Sequence, residues 1–250
     1  MELLNIVAII GLLHSLALSG APTLEACAND AIKDLEARVR VDQADLTELE
    51  AINKDFGIVY RLRDVTIRYK DPDKFRLDNR LGVFIVNGAR RFIHVPQLGL
   101  KKRDDIGQEL SRRHSLLDLG IVTTTILQGI ESRYLRDETI RGGSYPVFEV
   151  VLRGDPDRDG ASRKPDSAVS PTYQLTIDPQ RKYVLRRRWL NGDGKTRATF
   201  DYLEPMEVQP GIWLPTRIEV RNQANQLAGA TVYRDLKINQ SPSDAIFATD

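Results

Sequence analysis

Val65-Thr66-Ile67-Arg68-Tyr69-Lys70-Asp71-Pro72-Asp73-Lys74-Phe75-Arg76-Leu77-Asp78 is the stretch on which the fold turns. Apolar and polar side chains alternate on both sides of an Asp-Pro-Asp turn, the period of two expected of paired strands with one apolar face. Leu81, Val83 and Ile85 follow. Asn87-Gly88 is a strong hairpin signal, and Phe92 to Val95 forms the next strand before Pro96 stops it. The stretch reads as an antiparallel meander.

Working outward, further strands are expected at 147–152, 172–178, 182–190, 197–203, 212–222 and 229–238, with Asn191-Gly192-Asp193-Gly194 as another hairpin turn. Upstream, residues 30–56 read as helical, because Ile32, Leu35 and Val39, then Leu46, Leu49, Ile52 and Phe56, fall three and four apart. Asp45 with Glu48 three later is a capping signal. Residues 104–135 also read as helix, with Ile126, Leu127, Ile130 and Tyr134 on one face after Thr123-Thr124-Thr125. A sheet with one apolar face must be covered, and these helices are the candidate cover. With no repeat and no low-complexity tract, residues 29–250 read as a single domain.

Composition narrows the function classes. Of 250 residues, 36 are basic and 35 acidic, for a formal net charge of +1, so nothing points to nucleic acid as a partner. Residues 3–18 form the longest apolar run and are short for a membrane span. Ala26-Cys27-Ala28 fits small-x-small cleavage, so residues 1–28 read as a signal peptide and the location as periplasmic, although no basic residue precedes the run. An uncleaved anchor is the alternative. Cys27 is the single cysteine, which excludes disulfide scaffolds and Cys-based zinc sites from the mature chain. Leu24-Glu25-Ala26-Cys27 has a lipobox outline, which makes Cys27 a candidate lipid anchor.

Several motifs resemble the LolA-like family of periplasmic lipoprotein carriers, the outer-membrane lipoprotein-sorting proteins. They are Tyr69-Lys70-Asp71-Pro72-Asp73-Lys74-Phe75-Arg76, then Val86-Asn87-Gly88-Ala89-Arg90-Arg91-Phe92-Ile93-His94-Val95-Pro96, then Leu175-Thr176-Ile177-Asp178-Pro179-Gln180. Gly211-Ile212-Trp213-Leu214-Pro215 and the closing Ile238-Asn239 and Asp244-Ala245-Ile246-Phe247 add to the likeness, which spans residues 30–247. It implies an α+β fold, a curved, incomplete antiparallel β-barrel (half-barrel) with helices covering the open concave side. The apolar concavity would hold lipid or lipoprotein acyl chains received from a membrane-bound donor or passed to an acceptor protein. Carriers of the family have an arginine before the first-turn proline that latches the lid helices; this chain has Asp71 there.

By alternation, and with the cover included, the lipid-binding set is Val65, Ile67, Tyr69, Phe75, Leu77, Val83, Ile85, Phe92, Ile126, Leu127, Ile130, Leu175, Ile177, Leu185, Arg187 and Trp189. Arg187 points with Leu185 and Trp189, so it could meet a lipid phosphate or carboxylate, or else lay its stem along the apolar face and reach solvent. Packing of a dry core is the competing reading of the apolar members.

No enzyme site emerges. Asp155, Asp157, Asp159, Gly160 and Asp166 outline a calcium loop, but an aspartate holds the twelfth position and strands flank it. Gly194-Lys195-Thr196 lacks the upstream glycine of a P-loop. His94 and His114 have no partner at metal-ligand spacing, and no G-x-S-x-G occurs. The expectation is therefore a monomeric lipid carrier without cofactor. A protein-binding or envelope-stress sensory module is the alternative, suggested by the 154–171 loop and the basic 186–188 strand; an exported hydrolase is a further one.

Overall fold

The computed structural model describes residues 21–107, 115–152 and 172–249, except for the side chain of Leu98. The apolar run 3–18, His114 and the acidic loop from Asp155 to Asp166 lie outside the described residues. The first alternating stretch forms β2 (Asp64–Lys70) and β3 (Lys74–Asn79), joined through a cis Asp71–Pro72 bond. The meander continues through β4 (Gly82–Asn87), β5 (Arg90–Val95) and β6 (Leu100–Asp105). A second meander comprises β7 (Ile130–Ile140), β8 (Gly143–Leu152), β9 (Thr172–Asp178), β10 (Tyr183–Leu190), β11 (Thr196–Gln209), β12 (Ile212–Asn222) and β13 (Leu227–Ile238). β1 (Asp34–Ala44) pairs with both β2 and β13, so the described strands make one open sheet of order 6-5-4-3-2-1-13-12-11-10-9-8-7. The hairpin turns behave as read: Gly88 and Gly194 take left-handed φ of 59° and 78°.

Two helix expectations are corrected. Residues 34–44 form a strand, because Leu35, Ala37 and Val39 also alternate with Glu36, Arg38 and Arg40, and the period of two wins once β2 and β13 pair on either side. Helix begins only at α1 (Leu46–Ile52), where Asp45 accepts from the amides of Thr47 and Glu48 at 3.0 and 3.1 Å. Asn53 then caps α2 (Lys54–Arg61). In the second region, residues 100–105 and 130–140 are strands; among the described residues the α-helix there is the single turn α3 (Thr124–Leu127), capped by Thr123.

The register also corrects the faces assigned to three residues. Asn79 pairs with Gly82, so Arg80 and Leu81 make a two-residue loop that opposes Leu77 to Phe84 and Phe75 to Val86. An odd-numbered residue on β3 therefore shares its face with an even-numbered one on β4. Phe84 and Val86 join Phe75 and Leu77 on the concave side, while Val83, Ile85 and Phe92 point to the convex side with Arg76, Asp78 and His94.

On the convex side Ile85 is nevertheless only 3 % exposed, beneath the C-terminal 3-10 turn Asp244–Phe247 that packs on β3 and β4. Phe247 is fully buried there. Arg76 donates to the Ile246 carbonyl at 2.8 Å, Asn87 to that of Phe247 at 3.2 Å and Arg103 to that of Thr249 at 3.0 Å. Over the second meander the convex face carries a ribbon of ion pairs. Arg188 and Arg186 meet Glu138, Arg186 meets Asp201 at 2.6 Å, Arg221 links Asp201 to Glu219, and Arg217 links Glu219 to Asp42 at 2.8 Å.

Candidate functional site

The concave face is apolar along its length, and two clusters of buried side chains fill it. Over β7–β12 the floor is Phe148, Val150, Leu175, Ile177, Val184, Phe200, Tyr202, Ile218 and Val220, met from above by Leu49 and Ile52 of α1, Tyr60 of α2 and Ile126 of α3. Over β1–β4 the floor is Leu35, Val39, Ile67, Tyr69, Phe75, Leu77 and Val86. Its roof is the segment that crosses from β6 to β7, through Ile106, Leu116, Leu119 and Ile121. Tyr233 packs against both clusters.

Of the sequence-expected set, Val65, Ile67, Tyr69, Phe75, Leu77 and Leu185 come together in the β1–β4 cluster. Ile126, Leu127, Ile130, Leu175, Ile177 and Trp189 belong to the other. Val83, Ile85 and Phe92 are not brought to the concavity. The concave side is closed over: Ile67, Tyr69, Phe75, Leu77, Leu175 and Ile177 are each buried under the roof.

Polar contacts tie the roof down. Ser115 and Asp118 form a capping box around the 3-10 turn Leu116–Leu119, and Gly120 ends it with a φ of 80°. Asp118 accepts from Arg187 Nη1 of β10 at 3.1 Å. The Tyr202 hydroxyl donates to the Leu117 carbonyl at 3.2 Å, and the Val184 amide to the Gly120 carbonyl at 2.7 Å. At the first-turn aspartate, Asp71 Oδ1 accepts from the Tyr69 hydroxyl at 3.2 Å and from the Thr125 hydroxyl of α3 at 3.3 Å. Asp30 receives both the amide and the hydroxyl of Thr124. Burial pushes the Tyr69 and Tyr202 phenols well above their ordinary range, so both stay protonated donors. Asp118 was not evident as a site residue; its one sequence signal is Ser115 three positions before it.

Arg187 lies among aromatic side chains of the β7–β12 floor. Its guanidinium is 4.3 Å from the Phe200 ring and 5.6 Å from that of Tyr173. Burial disfavours its charge, but the Asp118 carboxylate hydrogen-bonded to it helps hold the pKa above the ordinary arginine value. Two cavities lie elsewhere. One of about 540 Å³ sits between the β4–β5 hairpin tip and the C-terminal turn, and one of about 340 Å³ is bordered by Ile140, Arg141, Leu185, Arg186, Asp201 and Arg221. His94 is half-buried on the convex face beside Phe92, remote in register from the concave floor.

The segment before β1 is part of the core. Leu24 is fully buried, Cys27 is 2 % exposed, and the Asn29 amide donates to the Val122 carbonyl at 2.8 Å. Burial pushes the Cys27 thiol pKa up.

No protein-family model matches this sequence, and no curated protein is similar to it at a significant level. Solved structures are. A domain named for outer membrane lipoprotein sorting from Vibrio parahaemolyticus superposes with a TM-score of 0.56 at 12% identity, covering 90% of this chain and 92% of its own. A DUF1329 family protein from Desulfovibrio piger gives 0.56 at 12% identity, covering 88% and 91%. A LolA superfamily protein from Nitrosomonas europaea gives 0.54 at 15% identity, covering 90% and 94%. The open antiparallel sheet with its short-helix roof is thus an α+β half-barrel, the fold it shares with these three solved structures.

Proposed function

We propose that the protein holds an acyl chain of a lipid or lipoprotein in the cell envelope, between the concave floor and the roof, and catalyses no reaction. One observation carries this reading: a long apolar floor is roofed by short 3-10 and single-turn elements tied down by a handful of polar contacts. A tail entering here replaces roof side chains such as Leu117, Val122 and Ile126 on the same floor. Each buried CH₂ contributes about 0.8 kcal/mol, on the order of ten for a C16 chain, so the tail can offset what the displaced roof loses. Native mass spectrometry of protein purified from its host without detergent tests this. An adduct of lipid mass, with acyl chains in the organic extract, is the expected result. A bare chain mass with an acyl-free extract refutes it.

The apolar run 3–18 supports export, and the packing of Leu24 and Cys27 into the core supports a cut upstream of the one expected after Ala28. Ala17-Leu18-Ser19 has small residues at the required spacing and supports a cut after Ser19. Cys27 then serves as a core residue and not as a lipid anchor.

A further inference from the structure

Among the described residues, one buried side-chain nitrogen or oxygen has no hydrogen-bond partner, and it is Arg187 Nε. The residue is 8 % exposed and sits on the concave floor, where β9 and β11 present Leu175 and Phe200 beside it. Its one ion-pair partner, Asp118, is far more open: the two side chains are 10% and 39% exposed. The Asp118 side is therefore the more open side of this charge. Asp118 is also an incomplete partner. Oδ1 takes Nη1, while Oδ2 is committed to the Ser115 amide in the capping box. A guanidinium presents its donors as a planar fork, and a free carboxylate or phosphate meets two of them at once. A buried cation is tolerated where an anion satisfies it, and the tethered Asp118 does so through a single bond.

We propose that Arg187 receives the anionic headgroup, a carboxylate or phosphate, of a single-tailed amphiphile, and that Asp118 is the internal anion this headgroup displaces. The inference rests on the acyl-chain reading and adds the sign of the headgroup and the residue that reads it. The tail then runs over Leu175, Phe200 and Val184, and loss of the Arg187–Asp118 bond frees the Leu116–Leu119 turn from β10. Headgroup recognition and roof release become one event.

Trp189 reports on it, being two residues along the same strand face and 6.2 Å from Tyr173. In a Trp213→Phe background its fluorescence is titrated with laurate, dodecyl phosphate and dodecanol, three probes sharing one tail. Charge-assisted hydrogen bonds at this site predict the better anion binding at least about tenfold tighter than dodecanol, and the ratio of the two anions tells carboxylate from phosphate. Arg187→Gln brings both anions down to the dodecanol level. Asp118→Asn removes the competitor and widens the anion-to-dodecanol affinity ratio by about tenfold, since the loosened roof helps every tail alike. If Arg187→Gln does not fold, the Asp118→Asn arm decides. Equal affinity for all three probes, in the parent and in Asp118→Asn, overturns the headgroup proposal and leaves the acyl-chain reading standing. No binding of any probe to either protein sinks both.

Discussion

The C-terminal turn acts as a clasp on the convex face, and Phe247→Ala measures its worth. The ring is fully buried, and the turn that carries it packs on β3 and β4, where Ile85 faces away from the main core. Truncating a buried phenylalanine costs about 3–5 kcal/mol. The lower end applies here, because the turn is short and can settle onto the sheet. The bonds from Arg76, Asn87 and Arg103 reach backbone carbonyls and survive the substitution. A loss of about 3 kcal/mol lowers the melting temperature of a chain this long by about 6–12 °C. It also shifts the urea midpoint with an unchanged slope. Asp244→Asn is the control: Asp244 pairs with Lys70 and Lys74 but is largely exposed, so its removal changes little. If Phe247→Ala unfolds within about 0.5 kcal/mol of the parent, as surface substitutions do, the clasp is not part of the folded domain.

Other outcomes follow from the same packing. The Arg188 hydrogen bonds, with help from Thr176 and Arg186 and against burial, hold Glu138 down to about 2. Its carboxylate thus stabilises the fold above the unfolded value of about 4.3 and loses that contribution as pH falls through about 2. Glu138→Gln should therefore lower the urea midpoint at pH 6 and not near pH 2, and equal shifts at both would contradict the ribbon's role. Gly120→Ala should cost at least about 2 kcal/mol, since its φ is 80° and an added Cβ would lie 2.8 Å from the Tyr202 ring. Gly142→Ala, with a similar φ but open space around it, should cost only about 1 kcal/mol, and denaturant midpoints compare the two. Mature protein should show an intact mass beginning at Gly20 without acylation, and a Cys27 thiol that reacts with a disulfide reagent only on unfolding; a chain starting at Asn29 would refute the proposed cut.

Much of this was legible in the residues, and the failures share a physical cause. The strands at 172–178 and 182–190 are where alternation put them, because Tyr173, Leu175 and Ile177 share one face, as do Leu185, Arg187 and Trp189. β1 was hidden because Ile32, Leu35 and Val39 satisfy a helical spacing as well as Leu35, Ala37 and Val39 satisfy a strand's. β7 was hidden for the same reason: Ile130 and Tyr134 are four apart, yet they face Leu152 and Phe148 across a ladder. Only tertiary pairing breaks such ties. The misassigned face of Val83, Ile85 and Phe92 came from carrying one parity through a two-residue loop that reverses it. The roof's attachment could not be read at all, since Arg187 with Asp118 and Asp71 with Thr125 join positions 69 and 54 residues apart.

Strand order has a consequence of its own. The first and last strands lie side by side in the middle of the sheet, while the two outermost strands, β6 and β7, are consecutive in the chain. Each meander is zipped by neighbours in sequence, and the sheet is unified by one seam, Leu35–Ala44 against Gly229–Ile238. That seam closes the longest loop and so bears the steepest entropic toll in assembly. A polypeptide divided between β6 and β7 keeps both zippers whole, so its two pieces, co-expressed, should recombine along the central seam into the native sheet.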